Sequence, residues 1–245
     1  MADSDADTTA GAVVNDTSAH ARSRTESRVT PRGEDRRQAI IDAALELGDA
    51  QGVEAISMRR VAASLGIQAM SLYNHIANKE ELLGALHERL ILEIHLPGDC
   101  GSWQEALRQA ARGYRDVAVA HPSLFVLLAT RPLGTDREFT HVAPTLAYLD
   151  REGLSAEQQL FIVDVFFNSL NGYLLADVAP VPGHPDVANP ALDTPQGEVP
   201  PLIRLVASMA TTKQGEEYLR NTFDEFVEVL IAGLEQHMST PRADS

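Results

Sequence analysis

The sequence predicts an all-α fold of about nine or ten helices: a short helix-turn-helix unit near the N-terminus, then a larger helical domain. Two observations predict it. Apolar residues recur at steps of three and four from Ile40 to Leu234, with Gly and Pro marking the breaks. No stretch alternates apolar and polar residues as a strand would, and no hairpin-turn pair interrupts the pattern.

In chain order, residues 1–33 are rich in Ala, Asp, Ser and Thr and hold no aromatic residue, the composition of a disordered tail. Arg22, Arg24, Arg28 and Arg32 make its second half basic. That leaves two readings open, an arm along a polyanion and a solvated tail. A first helix follows from Glu34 to about Gln51, with Ile40, Ala44 and Leu47 on one face and Gly52 at its end. Its role is to brace what comes next.

From Ser57 to Lys79 the chain splits into two short helical pieces around Gly66. Ser57 is a good N-cap, and Gly66 stands where a left-handed residue is needed. Val61, Leu65, Ile67, Leu72 and Ile76 are assigned to the core, which leaves Gln68, Ala69, Met70, Ser71, Tyr73, Asn74 and His75 outside. Between Ala55 and Lys79 there is no Asp or Glu, whereas the chain carries a net charge of −15. Of that excess, residues 96–245 hold 20 acidic against 10 basic groups, so the C-terminal part repels polyanions and only this stretch can approach phosphates. DNA binding and a plain core hairpin both fit the pattern.

Asn78 then caps a new helix, with Glu81 placed for a capping box and Leu82, Leu83, Leu86, Leu90 and Ile94 as its stripe before Pro97-Gly98. Lys79 sits at the positive end of that helix dipole, which a nearby phosphate would relieve. Further helices are expected from Ser102 to Ala120, from Pro122 to Thr130, and from Thr135 to Glu152 with a break at Pro144. Ser155 to Val178 is apolar nearly all round, along a seam of Leu160, Val163, Phe167, Leu170 and Leu174 and a second of Ile162, Phe166, Ser169, Tyr173 and Ala176. Glu216 to Met238 carries Leu219, Phe223, Phe226, Leu230 and Leu234. These doubled faces predict a homodimer joined through a four-helix contact. Between them, residues 179–201 hold seven of the thirteen prolines and read as a mobile loop.

The single cysteine, Cys100, excludes an intrachain disulfide and fits a reducing compartment. No apolar run is read as long enough for a membrane span, so a cytoplasmic protein is expected. Neither a phosphate-binding Gly loop, a nucleophile elbow nor a metal motif appears, so no cofactor, metal or catalytic residue is assigned. His87, His95, His121 and His141 are scattered, with core or surface placement as the default. A helical enzyme and a dimeric scaffold without DNA binding remain the alternatives.

LGIQAMSLYNHIANKEELL, preceded by SMRRVA, resembles the DNA-binding domain of the TetR family of bacterial repressors. Ser102-Trp103-Gln104, Thr130-Arg131-Pro132, Pro200-Pro201-Leu202 and Gly233-Leu234-Glu235 are similar to landmarks of its tetracycline-responsive branch, so the resemblance spans roughly Glu34 to Met238. It implies a DNA-binding domain over 34–80 and a ligand-binding and dimerisation domain over 81–245. It also implies operator DNA as a partner and a small-molecule effector that releases it. Carried over by position, Arg59, Gln68, Ala69, Met70, Ser71, Tyr73, Asn74, His75 and Lys79 match DNA-facing sites. Met70 stands where that branch commonly has proline, which implies a different operator.

The same resemblance suggests a ligand site among His95, Tyr114, Leu127, Leu128, Arg131, Phe139, Phe166 and Asn168, with ordinary core as the alternative. Leu127 replaces a metal-binding histidine, Ala110 an asparagine, Thr145 a glutamine and Ala176 a carboxylate. Hard cations need oxygen or imidazole ligands, so a more apolar effector than tetracycline–magnesium is expected.

Overall fold

The computed structural model describes residues 33–178, 200–209 and 213–239. The tail over 1–32 and the Pro-rich stretch over 179–199 lie outside the described residues, which form ten α-helices and one 3-10 turn and no strand. Helix α1 (Gly33–Gln51) packs on α2 (Met58–Ser64) and α4 (Lys79–Glu93), and α2 packs on the five-residue α3 (Ala69–Tyr73). Ser57 caps α2 through Arg60 N–H, and Gly66 adopts φ +66 as the turn requires. Val61, Leu72 and Ile76 are buried, but Ile67 is 40% exposed. Its assignment to the core is corrected: α3 starts only at Ala69, so Ile67 lies in the turn with no helix over it.

Helix α4 carries the head onto the rest of the molecule, touching α6 (Phe125–Thr130) and α7 (Asp136–Arg151). Asn78 caps it by accepting from Glu81 N–H, but the Glu81 carboxylate accepts from Ala77 N–H rather than from Asn78, so the box is only half formed. The helix ends at Glu93, before Ile94, which is buried as an extended C-cap residue. A complete capping box occurs instead at Thr135 and Glu138, starting α7. That helix runs through Pro144 without the expected break. Pro144 and Thr140, one turn before it, are both exposed, so the carbonyl that loses its N–H partner can turn to water.

Helix α5 (Trp103–Ala120) is the central element, packed on α7, α8 (Ala156–Val178) and α10 (Lys213–Ser239). It comes so close to the chain leaving α4 that a Cβ on Gly113 would stand 2.2 Å from the His95 carbonyl oxygen. Ile162, Phe166, Leu170 and Leu174 form the buried stripe of α8, a single line of i+4 steps that cuts across both expected seams. On α10 the buried positions are Phe223, Val227, Ile231 and Leu234, and Tyr173 stacks on Phe226 between the two helices. By length and composition α8 could cross a membrane, contrary to the reading that no run is long enough. One stripe of it packs on α5, α6, α7 and α10, and 28% of the apolar window is buried. Pro201 begins a further helix, α9 (Pro201–Met209), rather than ending the loop.

Candidate nucleic-acid interface and effector cavity

The face predicted to meet DNA is largely open. Arg59, Gln68, Met70, Tyr73, Asn74 and Lys79 are exposed, and Ala69, Ser71 and His75 are half-buried. Met70 is 73% exposed and free to meet a partner surface. Gln68 is the N-cap residue of α3, yet its side chain makes no cap bond and its amide stays available. Arg60 differs from Arg59. Its guanidinium donates to the Ala55 carbonyl at 3.1 Å and to Gln51, so it braces α1 against α2.

The acids that follow Lys79 are turned away from that face. Glu80 pairs with Arg131 at 2.5 Å, and Glu81 faces Arg37 at 3.5 Å while capping Ala77. The hydrogen bond from Arg131 holds the Glu80 carboxyl below the usual carboxylate range. Lys79 itself pairs with no carboxylate among the described residues.

Behind α4 lies a cavity of about 420 Å³, bounded by α4, α5, α6, α7 and α8 and the segment over 131–133. Apolar side chains such as Ile91, Leu128, Val142, Leu146, Val163 and Phe167 make most of its wall. Of the residues predicted to hold a ligand, Tyr114, Leu128, Arg131 and Asn168 line it. His95, Leu127, Phe139 and Phe166 do not. Since α4 stops at Glu93, His95 lies exposed in the linker. Leu127 and Phe166 are buried in the core beside the cavity, and Phe167, one position on, reaches it instead of Phe166. Phe139 is 53% exposed, while its neighbour Glu138 turns inward. Thr145 lines the wall, unlike Ala110 and Ala176.

Polar groups in the wall fall into two sets. Tyr114 Oη donates to Asn171 Oδ1 at 2.5 Å, and Asn171 Nδ2 donates to the Ala129 carbonyl at 3.1 Å, which fixes the amide. Burial pushes the Tyr114 phenol well above its ordinary range, so it stays a neutral donor. The other set is His87 and Thr145, both buried, whose Nε2 and Oγ1 have no hydrogen-bond partner among the described residues. His87 Nδ1 lies 2.6 Å from Glu138 Oε1. Burial alone would raise the Glu138 carboxyl, but N–H bonds from Gly134 and Thr135 and the bond from His87 outweigh it and hold it below its usual range. His87, Glu138 and Asn171 were missed from sequence. The available signal was Leu83, His87 and Ile91 at i+4 steps, a histidine in line with the apolar stripe of α4.

Beside the cavity, His121 caps α5 and joins three elements, with Nδ1 2.9 Å from Asp49 on α1 and Nε2 2.9 Å from Glu93 on α4. Carboxylates only accept, so both contacts are donated together only by the doubly protonated ring.

The helix that follows the helix-turn-helix, α4, also walls the cavity, the layout of a helix-turn-helix protein with a helical second domain. Residues 40–86 match the family of bacterial regulatory proteins, tetR family, and residues 96–238 match the tetracyclin repressor-like C-terminal domain. The chain belongs to the TetR family of transcription regulators. It is 28% identical over 207 residues to the class D tetracycline repressor of Escherichia coli, covering 83% of this chain and 90% of that one. The repressor DrrR1 of Streptomyces coeruleorubidus is 35% identical over 126 residues, 48% of this chain and 46% of that one. Among solved structures, apo ActR of Streptomyces coelicolor superposes with a TM-score of 0.63 at 25% identity, over 81% of this chain and 93% of that one. ActR in complex with (S)-DNPA gives a TM-score of 0.60 at 25% identity, over 82% and 97%.

Proposed function

We propose that this protein is a cytoplasmic homodimeric repressor that reads a palindromic operator and is released by a small-molecule effector bound behind α4. The observation that carries the reading is the Arg131–Glu80 pair, which ties the cavity wall to the first turn of α4, next to Lys79. An occupant that displaces Arg131 changes what holds that turn, and with it the placement of the head. On this reading residues 34–80 contact DNA and 81–245 bind effector and partner subunit.

Gln68 reads an adenine, Ala69 or Met70 packs on a thymine methyl, and Arg59, Tyr73, His75 and Lys79 hold phosphates, with Ser71 and Asn74 at the edges. The partner subunit covers the outer side of α8 and α10, where Leu160 is 69% and Val229 73% exposed. The effector is mainly apolar. Leu127 and Ala176 supply no hard-metal ligand, so tetracycline–magnesium should release the operator poorly. ActR in complex with (S)-DNPA supports a small-molecule ligand for a protein of this fold.

Selection from a random duplex library by the full chain tests the reading. A two-half-site palindrome, with sedimentation as a dimer at micromolar concentration, is the expected result. No enriched sequence, or a folded monomer, would contradict it, and so would release by micromolar tetracycline with magnesium for the effector class.

A further inference from the structure

We infer that the effector cavity is built to take a ligand carrying one weakly acidic hydroxyl, a phenol or enol on an apolar frame, whose proton is received by His87 Nε2. This rests on the effector-cavity reading above and adds the chemistry of the recognised group.

His87 belongs to the cavity wall and Glu138 does not. The ring therefore stands between the carboxylate and the cavity. Glu138 is acceptor-only when ionised, so the proton at their 2.6 Å contact sits on His87 Nδ1. In the neutral ring Nε2 is then an acceptor, and it is buried without a partner. An unmet buried acceptor is costly, and a ligand hydroxyl removes that cost where an ether or a hydrocarbon cannot. The other polar groups lining the cavity differ. Tyr114 donates to Asn171 and Asn171 to the Ala129 carbonyl, Asn168 donates to Asp164 and Thr130 to the Val126 carbonyl, and Arg131 is engaged by Glu80. Among the described residues of the wall only Thr145 Oγ1 shares the unpartnered state, and as a hydroxyl it can donate to the oxygen of the same ligand group or accept from a second one.

The tautomer is set by an asymmetric clamp. Glu138 Oε2 accepts from both Gly134 N–H at 2.6 Å and Thr135 N–H at 2.9 Å, leaving Oε1 for His87. In Glu138→Gln the two backbone N–H groups retain the amide oxygen, so the amide NH2 faces His87 and donates to Nδ1. The ring then carries its proton on Nε2 and offers a donor to the cavity. One isosteric substitution thus reverses the preference, which a merely structural histidine would not show.

The test compares β-naphthol with β-naphthyl methyl ether, binding to the full-length dimer by fluorescence and calorimetry. Wild-type protein should favour the naphthol by about tenfold or more, the scale of one unmet bond to a buried acceptor. Glu138→Gln should lose or invert that ratio while still binding the ether. Should the Gln variant fail to fold, His87→Leu, checked by circular dichroism, should bring the two probes to equal affinity. Equal binding of both probes to wild type would overturn the hydroxyl inference and leave the effector cavity standing. No binding of either probe would overturn both. An unchanged naphthol preference in a folded variant would remove His87 as its receiver.

Discussion

The recognition head and the effector cavity differ in how their chemistry is distributed along the chain. The head draws its surface from one stretch of consecutive residues, Ser57 to Lys79, on two short helices and a turn. Its cap, its left-handed glycine and its acid-free face are all local facts. The cavity collects its wall from five helices, and its two polar atoms without a partner among the described residues come from positions 87 and 145. Local pattern therefore specifies what the head presents, whereas helix rotation decides what the cavity presents. A turn of one residue about a helix axis puts Phe167 rather than Phe166 in the cavity wall, and buries Glu138 rather than Phe139.

If head and cavity are joined through the close approach of α5 to the chain leaving α4, the largest effect comes from Gly113→Ala. Its methyl group would meet the backbone of His95, which cannot rotate aside as a side chain can. We expect a loss of about 3 kcal/mol in thermal or urea unfolding, at the upper end for overpacking. Wild-type stability would show that the segment yields.

Within the head, base reading and phosphate holding should separate. Gln68→Ala should cost about 1–3 kcal/mol on the selected operator and relax preference at one position per half-site. Lys79→Ala or Arg59→Ala should weaken all duplexes alike and lower the salt slope by about one. If Gln68→Ala leaves the preferred sequence unchanged, α3 reads DNA otherwise.

Arg131→Ala sharpens the link between the regions. It removes the Glu80 partner as a displacing occupant would, so operator affinity should fall even without effector. The effector concentration for half-release should shift by about 0.5–2 kcal/mol equivalent, measured by anisotropy with the same duplex.

The smallest effect is in pH. Glu138 has a folded pKa below its unfolded value, so its contribution to stability is full above the ordinary glutamate range and is lost as pH falls through the lower folded value. Melting of wild type and Glu138→Gln should differ most near neutrality and converge in acid. A constant difference across acid pH would show that the carboxylate charge is not what Gly134, Thr135 and His87 stabilise.

The same contrast explains what the sequence discloses. Nine of the ten described helices follow from apolar spacing and from caps at Ser57, Asn78, Ser102 and Thr135, whereas α9 begins at a proline read as loop. Ile67 and Pro144 misled because each was judged by its residue type, while the start of α3 and the solvent side of α7 decided the outcome. The His87–Glu138 pair joins positions 51 apart, and neither shows in its own neighbourhood that it faces the other. Half of the ligand residues carried over by resemblance reach the cavity. The rest fail because position along a helix does not fix which way a side chain turns when α4 ends early or α7 rotates.

The central claim is that occupying the cavity releases the head, and a cavity-filled variant tests it most directly. Val163 lines the wall on α8, away from the reading face. In Val163→Phe the selected duplex should bind as in wild type or more weakly. A hydrophobic compound that releases the wild-type complex, found by screening anisotropy of that duplex, should lose its effect at least about tenfold. Release at the same concentration in both proteins would contradict the account.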